Sequence, residues 1–365
     1  MKVPDGEYTI SSFIEVVSSL GKGVLSKEDA RNEIKMFFYI TDVADPTSLF
    51  TRFTTKRMGV VVQVQVPRDL DKEGSAKGED DFDTYYSLRY DEGILLLMSS
   101  VTLKEHHPNL GKFLRYSRGV TEMWMNPVTM LKLLEDLEER YPSMRVENFI
   151  ARRNPNDRSE CRYRPKSERR VNYTGLDGRD VLKELKHYYG VHPIKMNLNL
   201  AQTISLNVYE EGLFILRDIN GETISEVRHL MSLIRDDVLA LYSTAKQLRF
   251  EATESEHALG TIHTPVVQAG EITFESGPIT GPVAEEFVKG STEFSFMDVI
   301  LEEGSLNLSA IVIDEVMNAV FDVSGTDKTL AIVPKGDTSF DSFIRFFRHV
   351  TETLDSRASF APLVS

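Results

Sequence analysis

Hydrophobic positions along this chain follow two periods. The run IKMFFYI at 34–40 is rich in aromatic and branched residues, and GVVVQVQV at 59–66 alternates apolar with polar positions, so both predict strands. Apolar residues three and four apart predict helices. One opens with Ser12 as N-cap and Glu15 in capping-box spacing, carries Phe13, Ile14, Val16, Val17 and Leu20, and stops at Gly21. Ser26 with Asp29 predicts a second, shorter one. Asn126 as N-cap and Pro127 at the first helical position predict a helix through Met130, Leu131, Leu133, Leu134 and Leu137, then a strand from Arg145 to Ala151.

The pattern also echoes itself. Tyr90-Asp91-Glu92-Gly93 followed by Ile94, Leu95, Leu96 and Leu97 matches Tyr209-Glu210-Glu211-Gly212 followed by Leu213, Phe214, Ile215 and Leu216. Each reads as strand, tight turn, strand, with two carboxylates at the bend and a glycine supplying the positive φ that closes it. The second hairpin leads into a helix capped by Thr223 with Glu226, carrying Val227, Leu230, Leu233, Ile234, Val238 and Leu241, and then a strand at 248–252. Strands at 307–313, 318–323 and 329–333 before a helix at 339–354 suggest a third unit with different turn chemistry. Strands arriving in consecutive groups disfavour a doubly wound parallel sheet. The expected fold class is α+β, antiparallel sheets each covered by helices, with an internal repeat of hairpin–helix–strand units. Three units are expected: 1–153, 154–256 entered through a basic segment, and 257–365 after the polar stretch ATESEHALG.

Length and composition fit this division. A chain of 365 residues with 41% apolar and 27% charged residues can bury more than one core. There is no uninterrupted apolar run of membrane-spanning length, and MKVPDGEYTI lacks the apolar stretch of a secretory signal, so no membrane partner is expected. Cys161 is the only cysteine, which leaves no intramolecular disulfide or cysteine-based zinc cluster and suits the cytoplasm. The stretch DLDKEGSAKGEDDFD reads as an acidic surface loop without calcium-loop spacing.

Charge distribution changes the picture most. The chain carries −14, yet Arg145 to His187 holds twelve Lys or Arg against seven acids, so this window is +5 and the remainder −19. Within it, Arg152, Arg153, Arg158, Arg162, Arg164, Lys166, Arg169 and Arg170 surround Pro155 and Pro165, with Tyr163 and Tyr173 interleaved. Guanidinium groups neutralise phosphates and tyrosine rings offer stacking faces, a combination suited to DNA or RNA. A following helix, 177–189, adds Arg179, Lys183 and Lys186 on one face, opposite Val181, Leu182 and Leu185. A solvated loop docking on the protein's own acids explains the same composition.

Other chemistry is thinner. His106-His107-Pro108 is expected to place its histidines on opposite sides of an extended chain. His187 and His192 straddle Gly190, and His257 and His263 lie with Glu254 and Glu256 in the expected linker. None of these has the spacing of HExxH or a zinc finger. Glu33-Ile34-Lys35 and Glu184-Leu185-Lys186 have the acid–lysine spacing that nucleases use, a spacing common by chance in a chain with 56 acids. Phosphate-loop, dinucleotide-binding and nucleophile-elbow motifs are absent. Trp124 with Met123, Met125, Met130 and Tyr116 reads as core packing or as an apolar groove. The leading expectation is a cytosolic, non-catalytic binding protein without cofactor, engaging nucleic acid or another polyanion. Its phosphate clamps would be Arg152, Arg153, Arg162, Arg164, Arg169 and Arg170. The alternatives are an assembly subunit that self-associates or docks on a protein partner, and a metal-dependent hydrolase or nuclease.

Overall fold

The strand β1 (Ile34–Thr41) is buried along its whole length, and its alternate side chains serve two separate cores. Met36, Phe38 and Ile40 enter the larger core, Phe37 and Tyr39 the smaller. A strand covered on both faces belongs at the middle of a sheet. That is its place in the computed structural model, which describes residues 1–20, 33–68, 82–153, 163, 169–201, 204–217, 221–257, 260–289, 291–302, 307–336 and 338–363.

The first part of the chain also forms α1 (Ile10–Leu20), α2 (Pro46–Leu49), β2 (Thr54–Met58), β3 (Val61–Pro67), β4 (Phe82–Asp91) and β5 (Ile94–Ser99). There follow α3 (Leu103–His106), a π-turn at His107–Gly111, α4 (Lys112–Arg115), β6 (Val120–Glu122), α5 (Pro127–Arg140) and β7 (Arg145–Arg153). Next come β8 (Arg169–Thr174), α6 (Gly178–Tyr189), β9 (His192–Ala201), β10 (Ile204–Tyr209) and β11 (Leu213–Leu216). These strands make one antiparallel sheet in the order β2-β3-β4-β5-β1-β11-β10-β9-β7-β8, with β6 also paired to β1.

Beyond it run α7 (Gly221–Gln247), β12 (Arg249–His257), β13 (Gly260–Gln268), β14 (Gly270–Thr273), α8 (Gly281–Lys289) and β15 (Phe294–Leu301). The chain continues through β16 (Leu308–Asp314), β17 (Ala319–Gly325), β18 (Thr329–Pro334), α9 (Phe340–Thr353) and β19 (Ser359–Pro362). A second antiparallel sheet has the order β15-β16-β17-β18-β14-β19, and β12 pairs with β13 as a separate ribbon. The chain is thus an α+β protein built on antiparallel sheets. The larger core runs on into the second sheet through α9, whose Phe347 meets Trp124 edge-on at 6.4 Å while Phe346 meets Phe321 at 5.0 Å. Among the described residues no helix is long and apolar enough to cross a membrane.

The two echoing hairpins, β4–β5 and β10–β11, pair with β1 from opposite sides. Their glycines adopt φ of +75° at Gly93 and +69° at Gly212. A Cβ would stand 3.0 Å from the Tyr242 ring at Gly93 and 2.8 Å from Met123 Cβ at Gly212, so both turns also need glycine for space. The correspondence stops after the helices: β7 enters the large sheet, whereas β12 leaves it for the ribbon.

Several local expectations are corrected. Helix α1 begins earlier than Ser12: Thr9 and Ser12 cap it reciprocally, Thr9 N donating to Ser12 Oγ at 2.8 Å and Ser12 N to Thr9 Oγ1 at 3.1 Å. Helix α7 begins at Gly221, leaving Thr223 buried inside it, and Glu226 accepts from Arg140 and Tyr141 instead of capping. His106 and His107 are helical, not extended: His106 ends α3, which Thr102 and Glu105 cap reciprocally, and His107 opens the π-turn. The polar stretch after Glu251 is the strand β12. The expected boundary at 153/154 lies between β7 and β8, hydrogen-bonded neighbours, so the large sheet crosses it. The one at 256/257 lies within the β12–β13 ribbon. The short helix expected at Ser26 and most of the acidic loop lie outside the described residues.

Candidate polyanion interface

The described part of the basic window, β7, β8 and α6, lies at an outer edge of the large sheet. In β8, RRVNYT alternates half-buried Arg169, Val171 and Tyr173 with exposed Arg170, Asn172 and Thr174. Its register on β7 sets Arg153 opposite Arg169 and Arg152 opposite Arg170. Like charges directly opposite are destabilising, so such a ladder needs local compensation. Arg152 finds it inward: its guanidinium lies 3.4 Å from Glu210 and 3.3 Å from Glu352 of α9. Arg153 is buried at 1% exposure. Arg169 lies 4.1 Å over the Tyr189 ring, a cation–π contact. Arg170 alone of the four is exposed.

The pair Arg152 and Glu210 belongs to a buried network joining the sheet to α9. Arg348 reaches Glu352 at 3.0 Å and Glu122 at 3.6 Å. Burial pushes the Glu210 carboxyl up to about 7 against the opposing pull of Arg152 and Arg348. Burial alone would lower the Arg348 guanidinium, but Glu352, Glu122 and Glu210 raise it above its ordinary value.

Helix α6 packs beside β7 and ends in paired tyrosines capped by Gly190 in the left-handed conformation, φ +62°. Tyr163 N donates to Tyr188 O at 3.0 Å, and the Tyr163 ring lies 5.7 Å from Tyr188 and 5.8 Å from Tyr189. His187 lies against Tyr188 at 4.8 Å. Tyr163 and Tyr188 are 54% and 38% exposed, so aromatic surface remains accessible near Arg169 and the helix's last turn, which carries Lys186.

The other expected residues are placed differently. Tyr173 stacks inward on Phe149 at 5.2 Å, and its hydroxyl donates to Asp177. Arg179 donates to the Pro142 carbonyl at 3.1 Å and Lys183 pairs with Glu138 at 2.7 Å, so the basic face of α6 turns partly toward the end of α5. Arg158, Arg162, Arg164 and Lys166 lie outside the described residues. The window gathers Tyr163 and Arg169 beside the last turn of α6, which carries Lys186, leaves Arg170 exposed on the opposite face of β8, and directs Arg152 and Arg153 inward. Tyr188 and Tyr189, absent from the sequence-based set, complete the cluster. Their signal was a tyrosine pair at a helix end one residue past the basic window.

Histidine and metal chemistry are limited among the described residues. His106 is buried between Tyr39 and Tyr85, whose hydroxyls lie 3.3 and 3.4 Å from its ring nitrogens, and it stacks on Phe37 at 4.0 Å. Burial, with His107 nearby, pushes it down to about 3, so it is a neutral core residue. Among the described residues, no group of three or more His, Cys, Asp or Glu is placed to hold a metal ion. Trp124, Met123, Met125 and Met130 pack in the core, whereas Tyr116 is 56% exposed and apart from them.

Comparison with known proteins adds relatives without a described activity. Residues 128–210, from α5 to the end of β10, match a family model described as the AF_0896_M family middle domain. The matched stretch holds the basic edge. The chain is also similar to an "Uncharacterized protein" of Archaeoglobus fulgidus, 23% identical over 272 residues that cover 70% of this chain and 71% of that one. No solved structure matches the chain.

Proposed function

We propose that this chain is a cytosolic binding protein that engages single-stranded nucleic acid at the edge formed by β8 and the C-terminal end of α6. One observation carries the reading: half-exposed tyrosine rings cluster with Arg169 at an edge of the large sheet. Aromatic faces stack on bases without regard to sequence, and guanidinium groups neutralise the phosphates between them. The contact surface is smaller than composition suggests, because Arg152 and Arg153 serve the interior. The strongly acidic remainder confines a polyanion to this edge. Fluorescence anisotropy of labelled single- and double-stranded DNA and RNA at two salt concentrations tests it. Single strands are expected to bind, salt to weaken them, and Tyr163→Ala with Tyr188→Ala to cost about 1–3 kcal/mol per lost stacking contact. Absence of binding at low salt removes the proposal.

A second reading, an assembly subunit, is favoured by β15. This edge strand exposes Met297 (51%), Val299 (39%) and Ile300 (61%), with an irregular register between Met297 and Ile300. Apolar edge strands invite pairing with another chain. A solution mass that rises with concentration and reverts to the monomer in Ile300→Lys supports it. A concentration-independent monomer without a partner removes it.

A further inference from the structure

Strands β16, β17 and β18 alternate buried positions with more exposed ones, as a sheet covered on one face does. The covered face carries Val312, Phe321, Val323 and Ile332 into the larger core, where Phe287 of α8 meets Phe296 and Phe346 of α9 meets Phe321. On an open face the intervening positions are ordinarily polar. Here the middle of that face is apolar: Ile311, Ile313, Val320 and Val333, to which β15 adds Met297, 51% exposed. Cross-strand register makes the patch continuous. Met297, Ile311, Asp322 and Val333 form one row over four strands, and Ile313 stands opposite Val320 in the next. Exposed Ser309 and Ser324 border it, an apolar centre with a polar rim. Among the described residues, none of the five apolar ones belongs to either core.

One ion pair stands within the patch. Lys335 Nζ reaches Asp322 Oδ1 at 2.6 Å, and the two side chains are 45% and 39% exposed. An acid and a base side by side among apolar residues make a surface complementary to itself. A two-fold axis between them sets Lys335 of each copy over Asp322 of the other. Already paired, they enter such a contact without stranding a charge. At about 4.8 Å between strands and about 3.4 Å per residue, β15 to β18 present roughly 450 Å² per copy. Two such faces, corrugated by their side chains, bury about 1,000 Å² together, the lower bound for a specific pair. We propose that this face packs on its counterpart in a second copy of the chain, sheet on sheet, as a two-fold dimer. Such a dimer rests on the assembly reading, with the contact moved from the edge strand β15 to the face of the sheet.

Sedimentation equilibrium over a wide range of concentration is expected to show wild type approaching twice the monomer mass. Asp322→Lys and Lys335→Asp each set like charges against one another across the axis, and each alone is expected to sediment as a monomer. Mixed in equal amounts they offer each other opposite charges and are expected to dimerise again, which also shows that both are folded. Ile311→Thr with Val333→Thr keeps branched strand residues and is expected to weaken the dimer about a hundredfold, four apolar side chains being lost per pair of copies. Asp322 and Val333 lie two and three strands in from β15, out of reach of edge pairing. A dimer broken by Ile300→Lys but not by Asp322→Lys leaves the edge contact standing and overturns the face-to-face pair. Wild type monomeric at every concentration overturns both.

Discussion

Glu210, in the turn of the second hairpin, presents its carboxylate to Arg152 of β7 at 3.4 Å while itself only 4% exposed. Arg152 is shared with Glu352, and Arg348 and Glu211 complete the charges acting on Glu210. Raising this carboxyl from 4.5 to about 7 makes its ionised form the unfavourable one in the folded chain. Its contribution is therefore fullest below pH 4.5 and is lost as pH rises through 7, a difference on the order of 3 kcal/mol. Glu352, held below its ordinary value despite burial by Arg348 and Arg152, has the opposite sign and loses stability as pH falls. Urea unfolding at pH 5.5, 7 and 8.5 is expected to show Glu210→Gln gaining on wild type as pH rises. Parallel pH profiles would contradict this.

Arg140 and Tyr141, at the end of α5, converge on the buried Glu226 of α7 at 2.7 and 2.8 Å. Tyr141→Phe removes one donor at a half-buried site and is expected to cost about 1 kcal/mol. Glu226→Leu removes the acceptor that both donors share and is expected to cost more. Chemical denaturation of both variants settles the order.

Gly93 and Gly212 answer to the same φ requirement but to different surroundings. A methyl at Gly93 meets the Tyr242 ring, the end of a side chain that can shift. At Gly212 it meets Met123 Cβ and, at 3.2 Å, the Met123 carbonyl. Alanine at either site is expected to destabilise by about 1–2 kcal/mol through its backbone conformation, with a further loss at Gly212. Thermal unfolding of the two variants checks the ranking; equal losses would mean that φ alone decides.

Arg345, on the buried face of α9, holds Asp314 of β16 and, at 3.5 Å, Asp341 of its own helix, both 0% exposed. Arg345→Met strands two buried acids and is expected to cost about 3–5 kcal/mol. Asp314→Asn with Asp341→Asn in the same background is expected to recover part of the loss. A failure to recover any of it would show that packing, not charge, was lost.

Much of the fold was legible because local chemistry and burial agree. The Asn126 cap with Pro127 sets α5, the continuous run at 34–40 marks a strand buried on both faces, and the C-terminal strands and α9 lie where their periods predict. The α7 start and the Arg152 environment were not legible. Glu352 is 200 residues from Arg152, and no local pattern links them. Yet one feature of the interface was accessible: adjacent arginines in a strand point to opposite faces, so Arg152-Arg153 and Arg169-Arg170 cannot all share one surface. Reading that stretch as a loop concealed the alternation.

The position of β1 has a consequence for how the chain is made. Its partners are β5 on one side and, on the other, β6 along Tyr39–Thr41 and β11 along Ile34–Phe37, so half of one edge of an apolar strand completed at Thr41 waits for a segment ending at Leu216. On the ribosome the first hairpin is synthesised long before the second, leaving a half-built sheet with an open, sticky margin during elongation. Slowing translation beyond residue 100 therefore prolongs the interval in which nascent chains can join edge to edge, and a holding chaperone has its greatest effect before β11 emerges.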